Sequence, residues 1–232
     1  GFFQPNTYDP YYSNVTLLLH MDATKPDGSF IDNGIYNLST TNFASITTTQ
    51  YARSNNKAGD FTSANSSIEP TGTTAQNVAN FGTGDFTVEL SQYMTSEGIR
   101  PLVTAGNYTS NGNGFYCWIA GNFPVFTANN TNYTSNVASV FANTLNHIAF
   151  TRKNGVLNIW VNGQLNYTTP MTLSFNPTSN NISRYAPLSV GYMMYHSQSG
   201  YVAGILDEVR ITKGISRYNS EFTVPSGSFP NS

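Results

Sequence analysis

The stretch HIAFTRKNGVLNIWV, from His147 to Val161, decides the fold class. Apolar and polar residues alternate on both sides of Asn154-Gly155, and a period of two residues is typical of β-strands. An Asn-Gly pair tolerates the positive φ angles of a tight hairpin turn. The stretch therefore predicts two adjacent antiparallel strands, His147 to Arg152 and Val156 to Val161.

The same alternation recurs along the chain. Further strands are predicted at Val15 to Met21, Asp85 to Tyr93, Phe115 to Ala120, Leu188 to Tyr192 and Ile205 to Thr212. The segments between them are rich in Ser, Thr, Asn and Gly, as surface loops are. Because each antiparallel sheet must bury one face, these strands predict an all-β fold, a two-sheet antiparallel jelly roll sandwich.

Composition excludes several classes of partner. Charged residues make up 9% of the 232 residues and the net charge is −2, so the chain lacks the basic surface that binds phosphate backbones or anionic lipid. We expect no nucleic acid partner. The longest apolar run is far shorter than the roughly 20 residues that span a bilayer, so we expect no membrane insertion.

The chain divides into three predicted parts: an arm at 1–14, the sandwich at 15–225 and a short tail at 226–232. The arm carries five aromatic residues and two prolines, a composition that packs on a surface. That surface is either its own domain or a neighbouring subunit, and the sequence leaves both open.

Four stretches, in order, resemble the laminin-G-like, concanavalin A-like jelly roll domains of phage structural proteins and secreted bacterial proteins. They are VTLLLHMD (15–22), GTGDFTVEL (82–90), NHIAFTRKNGVLNIWVNGQ (146–164) and GILDEVRITKGISRYNSEFTVP (204–225). The resemblance covers nearly the whole sandwich and implies its fold. It also implies a lectin-like domain that acts by surface contact.

The resemblance further implies a structural Ca²⁺. Related domains often hold it with an aspartate at the position of Asp207, assisted by main-chain carbonyls that map near Asp22 and Gly59. Calcium accepts such oxygen ligands in flexible geometry. Alternatively, Asp207 accepts hydrogen bonds from backbone amides at a sheet edge.

Strand parity makes a separate prediction for the last strand. Successive side chains alternate between faces, so Asp207 should share a face with the apolar residues Ile205, Val209 and Ile211. Glu208 and Arg210 should then form an ion pair on the opposite, solvent-facing side.

Aromatic residues are the candidate contact residues. Parity turns Trp160 and Tyr93 away from the core, while Trp118 and Tyr116 lie in a strand that is apolar on both faces. Outward rings could stack on sugars, anchor a neighbouring protein chain or pack under long loops, and these alternatives stay open here.

Catalytic patterns are absent from the sequence. Related glucanases carry two carboxylates at alternate positions of one strand, and no Asp or Glu of this chain has another two residues away. The histidines His20, His147 and His196 lack metal-binding spacing, and His147 is expected to be structural. The lone Cys117 is expected to be a buried, inert thiol. We therefore expect no enzymatic activity.

The sequence thus predicts a non-enzymatic virion structural or decoration protein with a lectin-like fold. Its expected partners are other virion or surface proteins, bound through the N-terminal arm, and cell-surface glycans. We expect a homo-oligomer at the virion surface or outside the cell. The alternatives are an independent secreted carbohydrate-binding module and, third, a glycoside hydrolase.

Overall fold

The computed structural model describes residues 8–53, 55–108, 113–177, 187–195 and 198–232. The strands, in chain order, are β1 (Val15–Leu19), β2 (Thr40–Asn42), β3 (Ser45–Thr48), β4 (Lys57–Asp60), β5 (Ile68–Pro70), β6 (Phe86–Met94), β7 (Ile99–Ala105), β8 (Phe115–Ala120), β9 (Phe123–Ala128), β10 (Thr131–Thr134), β11 (Leu145–Lys153), β12 (Val156–Val161), β13 (Gln164–Pro170), β14 (Leu188–Val190), β15 (Tyr192–Tyr195), β16 (Gln198–Tyr201) and β17 (Gly204–Lys213). Two short 3₁₀ helices, Tyr12–Asn14 and Thr73–Asn77, complete the regular structure of the described residues.

Two antiparallel sheets form the sandwich. The eight-stranded sheet has the order β13-β12-β11-β6-β17-β4-β3, with β1 paired to β17, and the seven-stranded sheet has the order β10-β9-β8-β7-β14-β5-β2. Strands β15 and β16 pair only with each other. This arrangement confirms the predicted all-β jelly roll.

The core lies between the sheets, where each contributes the inward half of its alternating residues. Phe86, Val88 and Leu90 of β6 face Phe115 and its neighbours of the other sheet, and all are buried in one apolar cluster. The polar or aromatic residues between them point to the two outer faces of the sandwich. Those outer faces hold the candidate functional residues.

The predicted strands agree with the observed ones to within a few residues. The turn between β11 and β12 has φ angles of +49° at Asn154 and +75° at Gly155, so the predicted hairpin is confirmed. The prediction for Leu188 to Tyr192 is wrong in part, because β14 ends at Val190 and β15 starts a separate hairpin. Gly191 makes the break with a φ angle of +83°.

A β-bulge in β17 overturns the parity prediction for that strand. The register shifts between Asp207 and Arg210, and Glu208 has a φ angle of +51°. An extra residue reverses the alternation beyond it, so Val209 and Ile211 enter the core whereas Asp207 lies on the outer face. The expected common face of these three residues is therefore wrong.

Both ends of the described chain pack on the outer face of the eight-stranded sheet. Asp9 and Phe229 are buried, and Phe229 packs against Val15 and Leu18 of β1. The backbone N–H of Asp9 donates to the carbonyl of Ser232 over 2.6 Å. Within the described part of the predicted arm, residues 8–14, the docking surface is thus the chain's own domain.

No helix among the described residues is both long enough and apolar enough to span a membrane.

Candidate ligand-binding face

The four predicted contact residues lie on two opposite surfaces. Trp160 and Tyr93 lie on the outer face of the eight-stranded sheet, as does Asp207, whereas Gly59 faces Met21 and Phe61 of the core. Trp118 and Tyr116 lie on the outer face of the seven-stranded sheet, because their neighbours Phe115, Cys117 and Ile119 face the core. The two outer faces differ in how their polar groups are satisfied.

The outer face of the eight-stranded sheet buries a network of charges centred on Glu89. This carboxylate accepts hydrogen bonds from Nε of Arg210 at 2.9 Å, from Nε2 of His147 at 3.1 Å and from the hydroxyl of Tyr218 at 2.6 Å. Burial alone would raise the pKa of Glu89, but the charge of Arg210 and the His147 hydrogen bond lower it well below its ordinary value. Glu89 is thus a structural anion, fully engaged by its neighbours.

The chain ends extend this network. Arg217 donates two hydrogen bonds to the carboxylate of Asp9, at 3.0 and 2.7 Å, and Arg210 donates a third at 3.2 Å. The guanidinium of Arg210 also lies 3.7 Å from the ring centre of Phe229. These contacts hold both ends of the chain against the sheet.

The prediction of a surface ion pair between Glu208 and Arg210 is wrong. Both side chains are buried, and each has other partners. Glu208 binds His20 over 2.8 Å and accepts the backbone N–H of Phe229 at 2.8 Å. Burial would lower the pKa of His20, but the hydrogen bond and charge of Glu208 raise it.

Trp160 points away from the core, as its parity indicates, but its ring is not open to solvent. The side chain is only 2% exposed, because Phe222 of the C-terminal segment packs edge-on against it at 5.9 Å. Its indole N–H donates to the hydroxyl of Thr151 at 2.9 Å. The expectation that Trp160 offers a free ring to a ligand is therefore corrected.

Tyr93 also lies on this outer face, with 9% of its surface exposed. Its ring stacks on Tyr51 at 3.8 Å, with 14° between the planes, and its hydroxyl donates to the side chain of Asn143 at 3.2 Å. The face that could have stacked on a sugar is thus occupied by a ring of the same chain.

The predicted calcium residues are arranged differently from the expectation. One carboxylate oxygen of Asp207 accepts the backbone N–H of Arg53 at 2.6 Å and the other accepts the N–H of Glu208 at 3.0 Å. Asp22 accepts the side-chain amide of Asn55 at 3.0 Å, and Gly59 lies against Met21. Asp207 thus accepts backbone amides at the sheet, which is the alternative that the sequence left open, and calcium stays a prediction.

His147 and Cys117 have structural surroundings, as expected. His147 is buried between Glu89 and the rings of Tyr218 and Phe222, and burial lowers its pKa. Cys117 is buried in the core, where burial raises the pKa of its thiol. His196 lies outside the described residues.

The outer face of the seven-stranded sheet carries a row of polar residues that crosses every strand. Register places them side by side. The row, here called the polar row, consists of Thr41, Glu69, Ser189, Thr104, Tyr116, Thr127 and Asn132, one from each strand. The two end residues are exposed and the five between them are buried.

Two hydroxyls of the polar row lack a hydrogen-bond partner among the described residues. They are those of Tyr116 and Ser189, which are 1% and 0% exposed. A buried polar group without a partner costs roughly 1–3 kcal/mol, and native structures contain few of them. The residues lie two strands apart, about 10 Å at the usual strand spacing, with Thr104 between them.

Trp118 borders the polar row and is linked to it. Its indole N–H donates to the hydroxyl of Thr127 at 2.8 Å, which in turn donates to Asn132 at 2.7 Å. Trp118 and Tyr116 pack with Tyr108, Val125 and Met193 in a small apolar cluster outside the core. Aromatic surface and hydroxyl groups thus adjoin, which is the mixture that binds polar ligands with apolar faces.

Sequence reasoning found Tyr116 and Trp118 but missed the rest of the polar row. β5 and β9 were not among the predicted strands, so the faces of Glu69 and Thr127 had no basis for assignment. Ser189 lies in a predicted strand, and its alternation with Leu188 and Val190 was the signal that could have identified it.

Residues 69–215 match the family model Laminin_G_3, described as the concanavalin A-like lectin/glucanases superfamily. The chain belongs to this family. No curated protein has a sequence that matches it significantly. The laminin-G-like fold therefore follows from both the sequence model and the observed sandwich.

Solved structures with this laminin-G-like fold are similar to the chain over most of its length. Domain 4 of AbnA, an extracellular arabinanase from Geobacillus stearothermophilus, in complex with arabinotriose, has 15% identity and a TM-score of 0.61, with 87% of this chain and 93% of that one covered. A putative carbohydrate binding protein from Bacteroides ovatus has 18% identity and a TM-score of 0.51, with coverages of 66% and 42%.

The binding domain of botulinum neurotoxin DC is a further similar structure. Its complex with SialylT has 12% identity and a TM-score of 0.54, and 88% of this chain and 49% of that one are covered. The chain therefore spans about half the length of the toxin binding domains that it matches. At these identities the likeness establishes a lectin-like jelly roll fold.

Proposed function

We propose that the chain is a non-enzymatic, lectin-like module that binds a glycan on the outer face of its seven-stranded sheet. The observation that carries this proposal is that the buried hydroxyls of Tyr116 and Ser189 have no hydrogen-bond partner among the residues that the structure describes. A ligand rich in hydroxyl groups can satisfy both, since each protein hydroxyl donates and accepts hydrogen bonds. The adjoining ring of Trp118 is 5% exposed, and it would add apolar surface of the kind that sugar rings contact when Met193 leaves its cluster.

The distribution of carboxylates supports a binding role without catalysis. Glycoside hydrolysis typically uses two carboxyl groups on either side of the scissile bond, whereas Glu69 is the sole carboxylate on the strands of the seven-stranded sheet. On the other sheet, Glu89 accepts hydrogen bonds from three residues and lies beneath the C-terminal segment. It is therefore engaged as part of the structure.

A glycan array followed by titration calorimetry tests the proposal. We expect at least one glycan to bind the full chain, and the substitution Tyr116→Phe to weaken that binding by about tenfold, the value of one net hydrogen bond. The matched control is Tyr218→Phe, which removes a buried hydroxyl from the opposite face and should leave affinity unchanged. Absence of binding across neutral and charged glycans contradicts the proposal.

A virion or decoration role remains a second, finer proposal that rests on the family resemblance. It would need an attachment surface, and within residues 8–14 the aromatic arm already contacts its own domain. Light scattering on the full chain and on a protein lacking residues 1–8 tests attachment through the arm and the predicted homo-oligomer, and co-purification with particles tests the virion location. This deletion keeps Asp9, whose removal would disrupt the network around Arg210 and Arg217.

In that experiment, an assembly that falls to monomers without residues 1–8 supports attachment through the arm. Monomers in both cases favour the alternative, an independent carbohydrate-binding module.

Calcium stays a prediction from the resemblance, and no part of the proposed binding uses it. Elemental analysis of protein purified without chelators tests it. One equivalent of calcium, lost in the variant Asp207→Asn, would mean that the Arg53 segment leaves the carboxylate to make room for the ion.

A further inference from the structure

The polar row runs across the strands. Its members occupy neighbouring strands about 4.8 Å apart, from exposed Thr41 at one edge of the sheet to exposed Asn132 at the other. A ligand that contacts both Tyr116 and Ser189 must therefore be elongated and lie perpendicular to the strands.

The charge of this face constrains the ligand further. Glu69 and Arg100 are the charged residues on the seven strands. Arg100 directs its guanidinium to the 96–97 turn, with hydrogen bonds to the carbonyls of Ser96 and Glu97. An anionic ligand along the polar row would thus meet a buried carboxylate and, on the seven strands, no cation directed at it, and burying an unpaired charge is costly.

We propose that the ligand is an uncharged, linear oligosaccharide that lies along the polar row. Its hydroxyl groups hydrogen-bond the side chains of Tyr116 and Ser189, and one of its rings contacts Trp118. This inference rests on the glycan-binding function proposed above, and adds the charge, shape and direction of the ligand.

The hairpin of β15 and β16 determines how far along the row a ligand reaches. The hydroxyl of Thr104, between Tyr116 and Ser189, donates to the carbonyl of Tyr192 at 3.0 Å, and Met193 packs in the cluster of Tyr116 and Trp118. Because Tyr116 and Ser189 are 1% and 0% exposed, a ligand that contacts Tyr116 displaces Met193 from this cluster, and one that also contacts Ser189 displaces the hairpin from Thr104. Longer oligosaccharides should therefore bind more slowly.

Calorimetry with defined trisaccharides tests the ligand class. The neutral probes are arabinotriose, maltotriose and cellotriose, and the anionic probe is 3′-sialyllactose. We expect one neutral probe to bind at least about tenfold more tightly than sialyllactose, with an affinity that does not fall at high salt, since screening acts on charges. If sialyllactose binds most tightly, the neutral class is wrong and the glycan-binding function stands.

Two variants test the position of the ligand. Tyr116→Phe and Ser189→Ala should each weaken the neutral oligosaccharide by about five- to tenfold, and the effect of Ser189→Ala should appear only with oligosaccharides long enough to cross Thr104. Tyr218→Phe should have no effect. Equal loss with Tyr218→Phe overturns the assignment to this face, whereas failure of every neutral and anionic glycan to bind overturns the proposed function itself.

Discussion

The two outer faces of the sandwich differ in how their buried polar groups are satisfied, although Nδ1 of His147 on the eight-stranded sheet also has no partner among the described residues. On the eight-stranded sheet, Glu89, Arg210 and Asp9 lie among ions and hydrogen-bond donors and beneath the chain's own ends. On the seven-stranded sheet, the hydroxyls of Tyr116 and Ser189 are buried and have no hydrogen-bond partner in the described part of the chain. A satisfied network strengthens a fold, whereas an unsatisfied group weakens it. The ionic network thus stabilises the eight-stranded face, and the seven-stranded face is the one on which we propose that a ligand binds.

Breaking the ionic network should have the largest effect. The variant Arg210→Met keeps an apolar stem but leaves Glu89 buried with less compensating charge, which we expect to lower the free energy of unfolding by about 3–5 kcal/mol. Urea denaturation measures this loss. The control on the other sheet is Arg100→Met, whose guanidinium donates to atoms of Ser96, Glu97 and Ile99 close to it in the chain and whose loss should cost less than about 1 kcal/mol. Equal costs would remove the contrast between the faces.

The same Tyr→Phe substitution should have different effects on the two faces. Tyr218→Phe removes a hydroxyl that donates to charged Glu89 at 2.6 Å, and should cost about 1.5–3 kcal/mol. Tyr116→Phe removes a hydroxyl without a described partner, and should leave the free energy of unfolding unchanged or raise it by up to about 1 kcal/mol. Thermal and urea unfolding of both variants measures the difference. A destabilised Tyr116→Phe would mean that this hydroxyl has a partner in the folded protein.

The pH dependence of stability should arise from the eight-stranded side. Burial raises the pKa of Asp207 to about 7, from an ordinary value of 3.8. Between these values the unfolded chain loses its proton before the folded chain does, so stability should fall as the pH rises from about 4 to about 7. The raised pKa of His20 adds to the fall above pH 6.5, because its ion pair with Glu208 is lost when the imidazole deprotonates.

Acid should destabilise the protein through a different pair of groups. The pKa values of Glu89 and Asp9 are lowered despite their burial, by the charges and hydrogen bonds of Arg210, His147 and Arg217. Their contribution is present at neutral pH and is lost as the pH falls below their ordinary values near 4. Melting temperature measured against pH should therefore peak between about 4 and 6. In Asp207→Asn the decline toward pH 7 should become shallower, by a few degrees.

Much of the fold was predictable because alternation is a local signal. The hairpin at Asn154-Gly155 and the strands β8 and β12 follow directly from it. Alternation does not indicate the bulge at Glu208. The extra residue and its positive φ angle depend on the residues that pack around it in the folded sheet. Because of this one residue, Asp207 lies on the outer face whereas Val209 and Ile211 lie in the core.

The candidate site was predictable only in part. Parity correctly turned Trp160 outward, but no local pattern indicates that Phe222, more than sixty residues later, covers it. Ser189 shows a second limit of local patterns. It belongs to the polar row because of its neighbours Thr104 and Glu69, which lie in strands distant along the chain. Coverage and lateral register are properties of the assembled sheets, and a single strand's sequence does not contain them.

The hydrogen bond between Asp9 and Ser232 places these two residues side by side, so that the described chain nearly forms a closed ring. A short linker from Ser232 to Asp9 would close that ring without moving a strand. The chain could then be opened at the exposed turn of Asn129 and Asn130, giving a circular permutant with new termini at the end of the sandwich. Such a permutant would let the module be fused to a carrier beside the Asn132 end of the polar row.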